Sequence, residues 1–337
     1  MVKLSGEELD MKIQSTVKSG NMSEVRELLE TYVDVTTRKI NGFGATALHF
    51  AAQYGHVDVA KLLIQNGADV NTECDYKITC LHYAAMSTKR ADVAKLLVQN
   101  GADVNAVDEL GNETSLHIAA KWGNVDMTTF LIQNGADVNI KNKKNKTCLH
   151  FAGKYGEIEV MKVLIQNGAD VNAVDIDNST SLHNVASERY VDVAKLLIQN
   201  GADVNAVNKR KQSVLCHASY LSRSVPITLE LLCLGAKIDK NALKNDKTGL
   251  LCKIEERMDK LRNGNRATYL YSKKEVQFMW NIKFCLSWKY KEASFKAYNI
   301  IRSFVTFNGI FMAPGFDLGP ESIWKMQIEE SSDDGRW

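Results

Sequence analysis

Proline is nearly missing from this chain. Three prolines in 337 residues leave helices joined by short turns as the natural reading, because a proline removes a backbone donor and breaks a helix interior. Net charge is nearly missing too. Lys and Arg number 42 against 40 Asp and Glu, so bulk charge implies no polyanionic partner such as DNA or an anionic membrane. No apolar run approaches the ~18 residues of a membrane span. The opening stretch, Met1-Val2-Lys3-Leu4-Ser5-Gly6-Glu7-Glu8, lacks the apolar core of a signal peptide. The seven cysteines are odd in number, dispersed and never spaced C-x-x-C. That spacing speaks against a disulfide framework or a zinc site and for reduced thiols in a cytoplasmic setting. The sequence contains no G-x-x-x-x-G-K-[ST], no G-x-S-x-G and no H-E-x-x-H. The expectation is therefore no enzyme, no cofactor, no metal and no small-molecule substrate.

What the chain has in abundance is one heptapeptide. Gln65-Asn66-Gly67-Ala68-Asp69-Val70-Asn71 returns at 99–105, 133–139, 166–172 and 199–205, with weaker versions at 30–36 and 233–239. The glycines at 67, 101, 135, 168, 201 and 235 set a period of 33 or 34 residues. A fixed period in that range marks a stacked array, in which each unit buries its apolar face only against its neighbours. The unit beginning at Thr46 shows the plan. Thr46 is a helix N-cap, Ala47 to Tyr54 a first helix, and Gly55 its stop. His56-Val57-Asp58 starts a second helix, Val59 to Asn66, with Val59, Leu62 and Leu63 on one face. Gly67 closes it in the left-handed region, and Asp69-Val70-Asn71 leads into an extended finger.

The first-helix motif recurs as Thr79-Cys80-Leu81-His82, Thr114-Ser115-Leu116-His117, Thr147-Cys148-Leu149-His150 and Thr180-Ser181-Leu182-His183, and decays to Ser213-Val214-Leu215-Cys216. Taken in order, T-x-L-H-x-A, G-H-V-D-V-A-K-L-L and N-G-A-D-V-N resemble the ankyrin repeat over about residues 10–240. The resemblance implies an all-α solenoid of helix-turn-helix units with β-hairpin fingers, curved so that fingers and first helices line a concave face. One departure is systematic. The family's proline after Thr is replaced by Ala47, Cys80, Ser115, Cys148, Ser181 or Val214, which removes pre-organisation at the first helical position and predicts a softer array.

The ends differ from the middle. Residues 1–40 keep the second half of the pattern and more charge, as a terminal cap should. Repeats then occupy 41–240. A degenerate half-repeat and linker follow at 241–264, its helix expected from Asp246 through Ile254 and Met258 to Leu261. Fifteen of the 27 Phe, Trp and Tyr residues lie after Asn265. The aromatic-rich segment 265–328 is expected to form helices over about 273–289 and 292–307, and 329–337 an acidic disordered tail.

Five histidines share one register: His49, His82, His117, His150 and His183. Each stands three residues after a capping Thr, where its ring can return a hydrogen bond to the cap. They are read as structural, because successive imidazoles about a repeat apart do not converge on one metal. Cys74, at a finger position, is expected to be exposed.

Recognition should lie where the copies disagree. Two sets vary: the fingers, and the residues after the Ala-Ala pair of each first helix. In ankyrin arrays these positions face the groove, so the resemblance implies a protein-binding surface at Tyr54, Tyr76, Met86, Leu110, Lys121, Trp122, Lys143, Lys144, Lys154, Tyr155 and Glu188. Tyr and Trp are enriched among residues that dominate interfaces. Nucleic-acid binding is disfavoured, because basic fingers alternate with acidic ones. The expected function is a non-enzymatic protein-interaction scaffold. The alternatives are an adaptor whose C-terminal segment recruits a ubiquitin ligase or other machinery, and an inhibitor that masks a transcription factor.

Overall fold

In a computed structural model of the chain, the described residues are 4, 6–40, 42–87, 90–220, 225–246, 249, 251–252 and 254–256. All lie in the unit formed by residues 1–258. Met258, Leu261, the linker, the aromatic-rich segment 265–328 and the acidic tail 329–337 lie outside the described residues.

The chain folds as a stack of helix pairs. They are α1 Gly6–Ser19 with α2 Met22–Thr31, α3 Ala47–Tyr54 with α4 Val57–Gln65, and α5 Cys80–Ala85 with α6 Ala91–Gln99. Next come α7 Ser115–Lys121 with α8 Val125–Gln133, and α9 Cys148–Tyr155 with α10 Ile158–Gln166. The last are α11 Ser181–Glu188 with α12 Val191–Gln199, α13 Val214–Ser219 with α14 Val225–Cys233, and a short α15 Lys240–Lys244. From α3 to α14 the helices are six to nine residues long, too short to stand alone in water, so packing holds them. Leu48, Leu63, Leu81, Leu97, Leu116, Leu131, Leu149 and Leu164 are each under 2% exposed. Burial of one such side chain contributes about 1.5–3 kcal/mol.

Three hydrogen-bond systems hold neighbouring units together. The first uses the histidines. The Thr114 amide donates to His117 Nδ1 at 3.1 Å, which leaves the proton on Nε2, and Nε2 donates to the Lys146 carbonyl of the next unit at 3.2 Å. His49, His82, His150 and His183 do the same toward Ile78, Glu113, Ser179 and Gln212. The expected capping box is present in α3, α5, α7, α9 and α11. The second system is the last Asn of each heptapeptide. Asn105 donates to the Gly135 carbonyl (3.0 Å) and accepts from the Asp137 amide (3.0 Å), and Asn71, Asn139, Asn172 and Asn205 repeat the pattern. The third is a backbone ladder between fingers: Asp75 N–H to Phe43 O, Glu109 to Tyr76, Lys143 to Gly111, Ile176 to Lys144 and Lys209 to Asp177, at 2.7–2.9 Å.

The finger roots explain one correction. Asp108, Asn142, Asp175 and Asn208 each accept two backbone N–H bonds inside their own finger. Cys74 stands at the same register and is 6% exposed, not exposed as expected. The register is the buried base of the finger, not its tip. A thiol cannot replace the two bonds accepted by those side-chain oxygens, and among the described residues this finger alone places a second residue, Tyr76, in the left-handed region (φ 61) beside Lys77. Burial pushes the Cys74 thiol up.

Glycine matters sharply at the end of α9. Gly156 has φ +75, and a Cβ there would come within 2.8 Å of the Tyr190 ring of the following unit. Only glycine meets both demands without displacing that ring.

Other boundaries shift. The second helix of the Thr46 unit is Val57–Gln65, two residues earlier at its start than expected. The N-terminal unit has a complete helix pair, with Leu9, Ile13 and Val17 buried along α1. At the other end, Asp239 caps α15 by accepting from Asn241 and Ala242 amides, so a helix begins before Asp246, and 251–252 and 254–256 are helical beyond it.

The positions that lost proline are buried at the first turn: Ser115 and Ser181 are each 1% exposed. Thr114 and Thr180 hold φ −92 ψ 169 and φ −87 ψ 168, which a following proline accepts. Replacing Ser115 and Ser181 by Pro should raise stability by about 0.4–1 kcal/mol each, through the unfolded chain, as read from urea midpoints.

Candidate functional site

Successive first helices pack on one another more closely than successive second helices do. First helices and fingers thus carry the closer contacts between units. The expected contact residues stand on these two elements. Tyr54 and Tyr155 end α3 and α9, and Lys121 ends α7. Trp122 is the residue that closes α7, at φ −98 ψ 8, just outside the helix. Met86 takes the same position after α5. Lys154 lies in α9 and Glu188 ends α11. Tyr76, Leu110, Lys143 and Lys144 belong to fingers.

Ten of these residues are exposed, with Trp122 at 60%, Leu110 at 62% and Tyr76 at 54%. Lys121 is half-buried. At three of these positions the structure shows what holds them. Tyr76 keeps a left-handed backbone, which costs a bulky residue roughly 1–2 kcal/mol, and its carbonyl is held by the Glu109 amide at 2.7 Å. Lys154 carries its ammonium 5.6 Å over the Tyr155 ring, and Lys18 stands 5.5 Å over Tyr54. Such cation–π contacts fix exposed side chains by about 0.5–1 kcal/mol.

Charge is uneven along the face. Lys121, Lys143, Lys144, Lys146 and Lys154 gather at the α7 and α9 units. Lys146 reaches the buried Asp175 at 4.0 Å, and Lys77 reaches Glu109 at 3.2 Å. Glu113 is half-buried, and burial, then Asp108, raises its pKa against the opposing pull of Lys121 and Lys144.

A cleft opens at the N-terminal end of the face, about 260 Å³, lined by Gln14, Phe43, Ala45, His49, Phe50, Gln53, Tyr54 and Tyr83. Sequence reasoning found Tyr54. It missed Phe50 and Tyr83, which follow the His of each motif and look like ordinary core positions.

One side-chain cluster has the outline of a nucleophile and base. Ser187 Oγ lies 3.0 Å from His217 Nδ1, and Asn208 Nδ2 lies 3.2 Å from its Nε2. Asn208 Oδ1 already accepts two amides, so its NH₂ donates to Nε2 and the ring proton sits on Nδ1. The ring therefore donates to Ser187, whose own hydroxyl donates to the His183 carbonyl at 3.1 Å. That direction is opposite to the one a general base needs. The five register histidines use both ring nitrogens for hydrogen bonds and leave neither for a metal ion. Among the described residues no three His, Cys, Asp or Glu side chains are grouped to hold a metal, and no helix is long and apolar enough to cross a membrane.

Comparison with known proteins gives the same units. The model for ankyrin repeats (3 copies) matches residues 13–108 and 81–175, and that for a single ankyrin repeat matches 177–209. Over 71 residues the chain is 41% identical to alpha-latrocrustotoxin-Lt1a of Latrodectus tredecimguttatus, covering 21% of this chain and 5% of that protein. Over 86 residues it is 35% identical to the inactive serine/threonine-protein kinase TEX14 of Bos taurus, covering 25% of this chain and 6% of that protein. The chain thus spans about a twentieth of the length of either relative. The family models reach from residue 13 to residue 209 of 337: the chain belongs to the ankyrin-repeat family.

Proposed function

We propose that this protein is a non-enzymatic scaffold that holds a protein partner in its concave groove and against its finger tips. One observation carries the reading. Ten of the eleven candidate contact residues are exposed and they differ between units, while the repeated Thr-His pairs and heptapeptide asparagines are occupied in holding the units together. Ankyrin repeats are in general protein-interaction modules. A groove pre-set by three hydrogen-bond systems loses little conformational freedom on binding, which favours affinity.

Proteins captured by the full chain should be compared with those captured by a Trp122→Ala/Tyr155→Ala variant. Two aromatic anchors removed from an interface cost about 2 kcal/mol or more, so the variant should lose its partner by at least about thirtyfold while keeping wild-type helicity. Equal capture by the two forms contradicts the groove reading.

A further inference from the structure

We infer that the groove takes an extended acidic peptide with an apolar anchor, the anchor and the acidic cluster separated by about seven to nine residues. The inference rests on the groove reading above and names the chemistry of the partner. It follows from two features of one face and the distance between them.

The first feature is the cleft under Phe43, Phe50, Tyr54 and Tyr83. Four Phe and Tyr rings line it together with His49, Ala45 and two glutamines, Gln14 and Gln53; no carboxylate does, and Phe43 is 65% exposed beside it. An aromatic recess can hold a cation or an apolar side chain. Lys18 already stands over the Tyr54 ring at 5.5 Å, so a second cation would meet a like charge. The rings therefore suit a Leu, Phe or Trp side chain, with Gln14 and Gln53 left to bond the backbone beside it.

The second feature is the lysine group three units on. Lys143 donates to the Glu109 carbonyl, and Lys154 lies over Tyr155. Among the described residues, Lys121, Lys143, Lys144 and Lys154 have no carboxylate within ion-pair distance; half-buried Glu113 feels Lys121 and Lys144 only from farther off, whereas Glu109 and Asp175 are answered by Lys77 and Lys146. Ammonium groups without an ion-pair partner on a ligand-facing surface select acidic ligands and speed their arrival. The next unit presents Asp177 and Glu188, so acidic residues of the peptide belong over the lysines and not beyond them.

Three steps along the stack, at roughly 8–10 Å each, separate the cleft from Lys143, Lys144 and Lys154, with Lys121 one step nearer. An extended chain covers ~3.3–3.6 Å per residue, which sets the spacing.

The test is selection of random displayed peptides of about twenty residues, long enough to span the groove, on the immobilised full chain. The expected consensus is an aromatic or branched apolar residue, a variable stretch of about seven to nine residues, and several Asp or Glu. Affinity of such peptides should fall at least about tenfold for Phe43→Ala/Tyr54→Ala, and by a similar factor for Lys144→Glu/Lys154→Glu, with salt dependence lost only in the second. All four positions are exposed, so both variants should keep the wild-type circular dichroism. Selected peptides that depend on Trp122 and Tyr155 but are basic, or lack the anchor, overturn this inference and leave the groove reading standing. A selection that yields no groove-dependent peptide overturns both.

Discussion

Acidification from about pH 7 to about pH 5 should destabilise the array by several kcal/mol. His49, His117 and His183 are at most 1% exposed, and their pKa values are lowered to about 4, chiefly by burial. Next in effect, His217 adds to the lowering at His183, while the carbonyl bonds from Nε2 oppose it at His49 and His117. Burial lowers His82 and His150 as well. The geometry shows why the charged form is excluded. Nδ1 accepts the Thr amide, so a proton there would face another N–H.

The sign follows directly. An unfolded histidine titrates near ~6.5, and the folded ones resist protonation until about 4. Their contribution is present in full above ~6.5 and is lost as pH falls through that window, at up to ~1.4 kcal/mol per unit per histidine. At about pH 5 each of the three has cost on the order of 2 kcal/mol. Urea unfolding across this range should show the midpoint falling steeply below ~6.5. A flat profile down to about pH 5 would mean that the histidines are not held neutral.

The second large effect concerns the heptapeptide asparagines. Replacing Asn105, Asn139 and Asn172 together by Ala removes six bonds between units. At ~0.5–1.5 kcal/mol each, and near the lower end for exposed groups, the loss is on the order of 3 kcal/mol or more. Because an array's stability is a sum of unit and interface terms, the substitutions act on the interfaces alone. The unfolding transition should therefore broaden as well as shift, and a curve unchanged in midpoint and width would deny these side chains their stitching role.

Much of this was legible in the sequence. The period gave the stack, Thr and His three apart gave the capping box, and Gly67 and its counterparts gave the helix stops. Those signals are local, and local geometry is what residue spacing encodes. What escaped were contacts across units. The Nε2 bond of each histidine and both bonds of each Asn close on the neighbouring repeat, about thirty residues away in sequence. Cys74 misled because its register is defined by what Asp108 and Asn142 do inside their fingers. The cleft escaped because Phe50 and Tyr83 read as core. Helix α15 escaped because its cap, Asp239, sits in a decayed heptapeptide.

The heptapeptide, which recurs most faithfully, thus holds units together, and the proposed function leaves recognition to the residues between its copies. One paired measurement tests that division of labour: affinity for a groove ligand and urea stability, both on the Asn105→Ala/Asn139→Ala/Asn172→Ala variant and on Trp122→Ala/Tyr155→Ala. The account predicts that the first loses stability yet binds normally where it is still folded, and that the second binds at least about thirtyfold more weakly at unchanged stability. If the asparagine variant loses binding while folded, or the aromatic variant loses stability and keeps its ligand, the division is wrong.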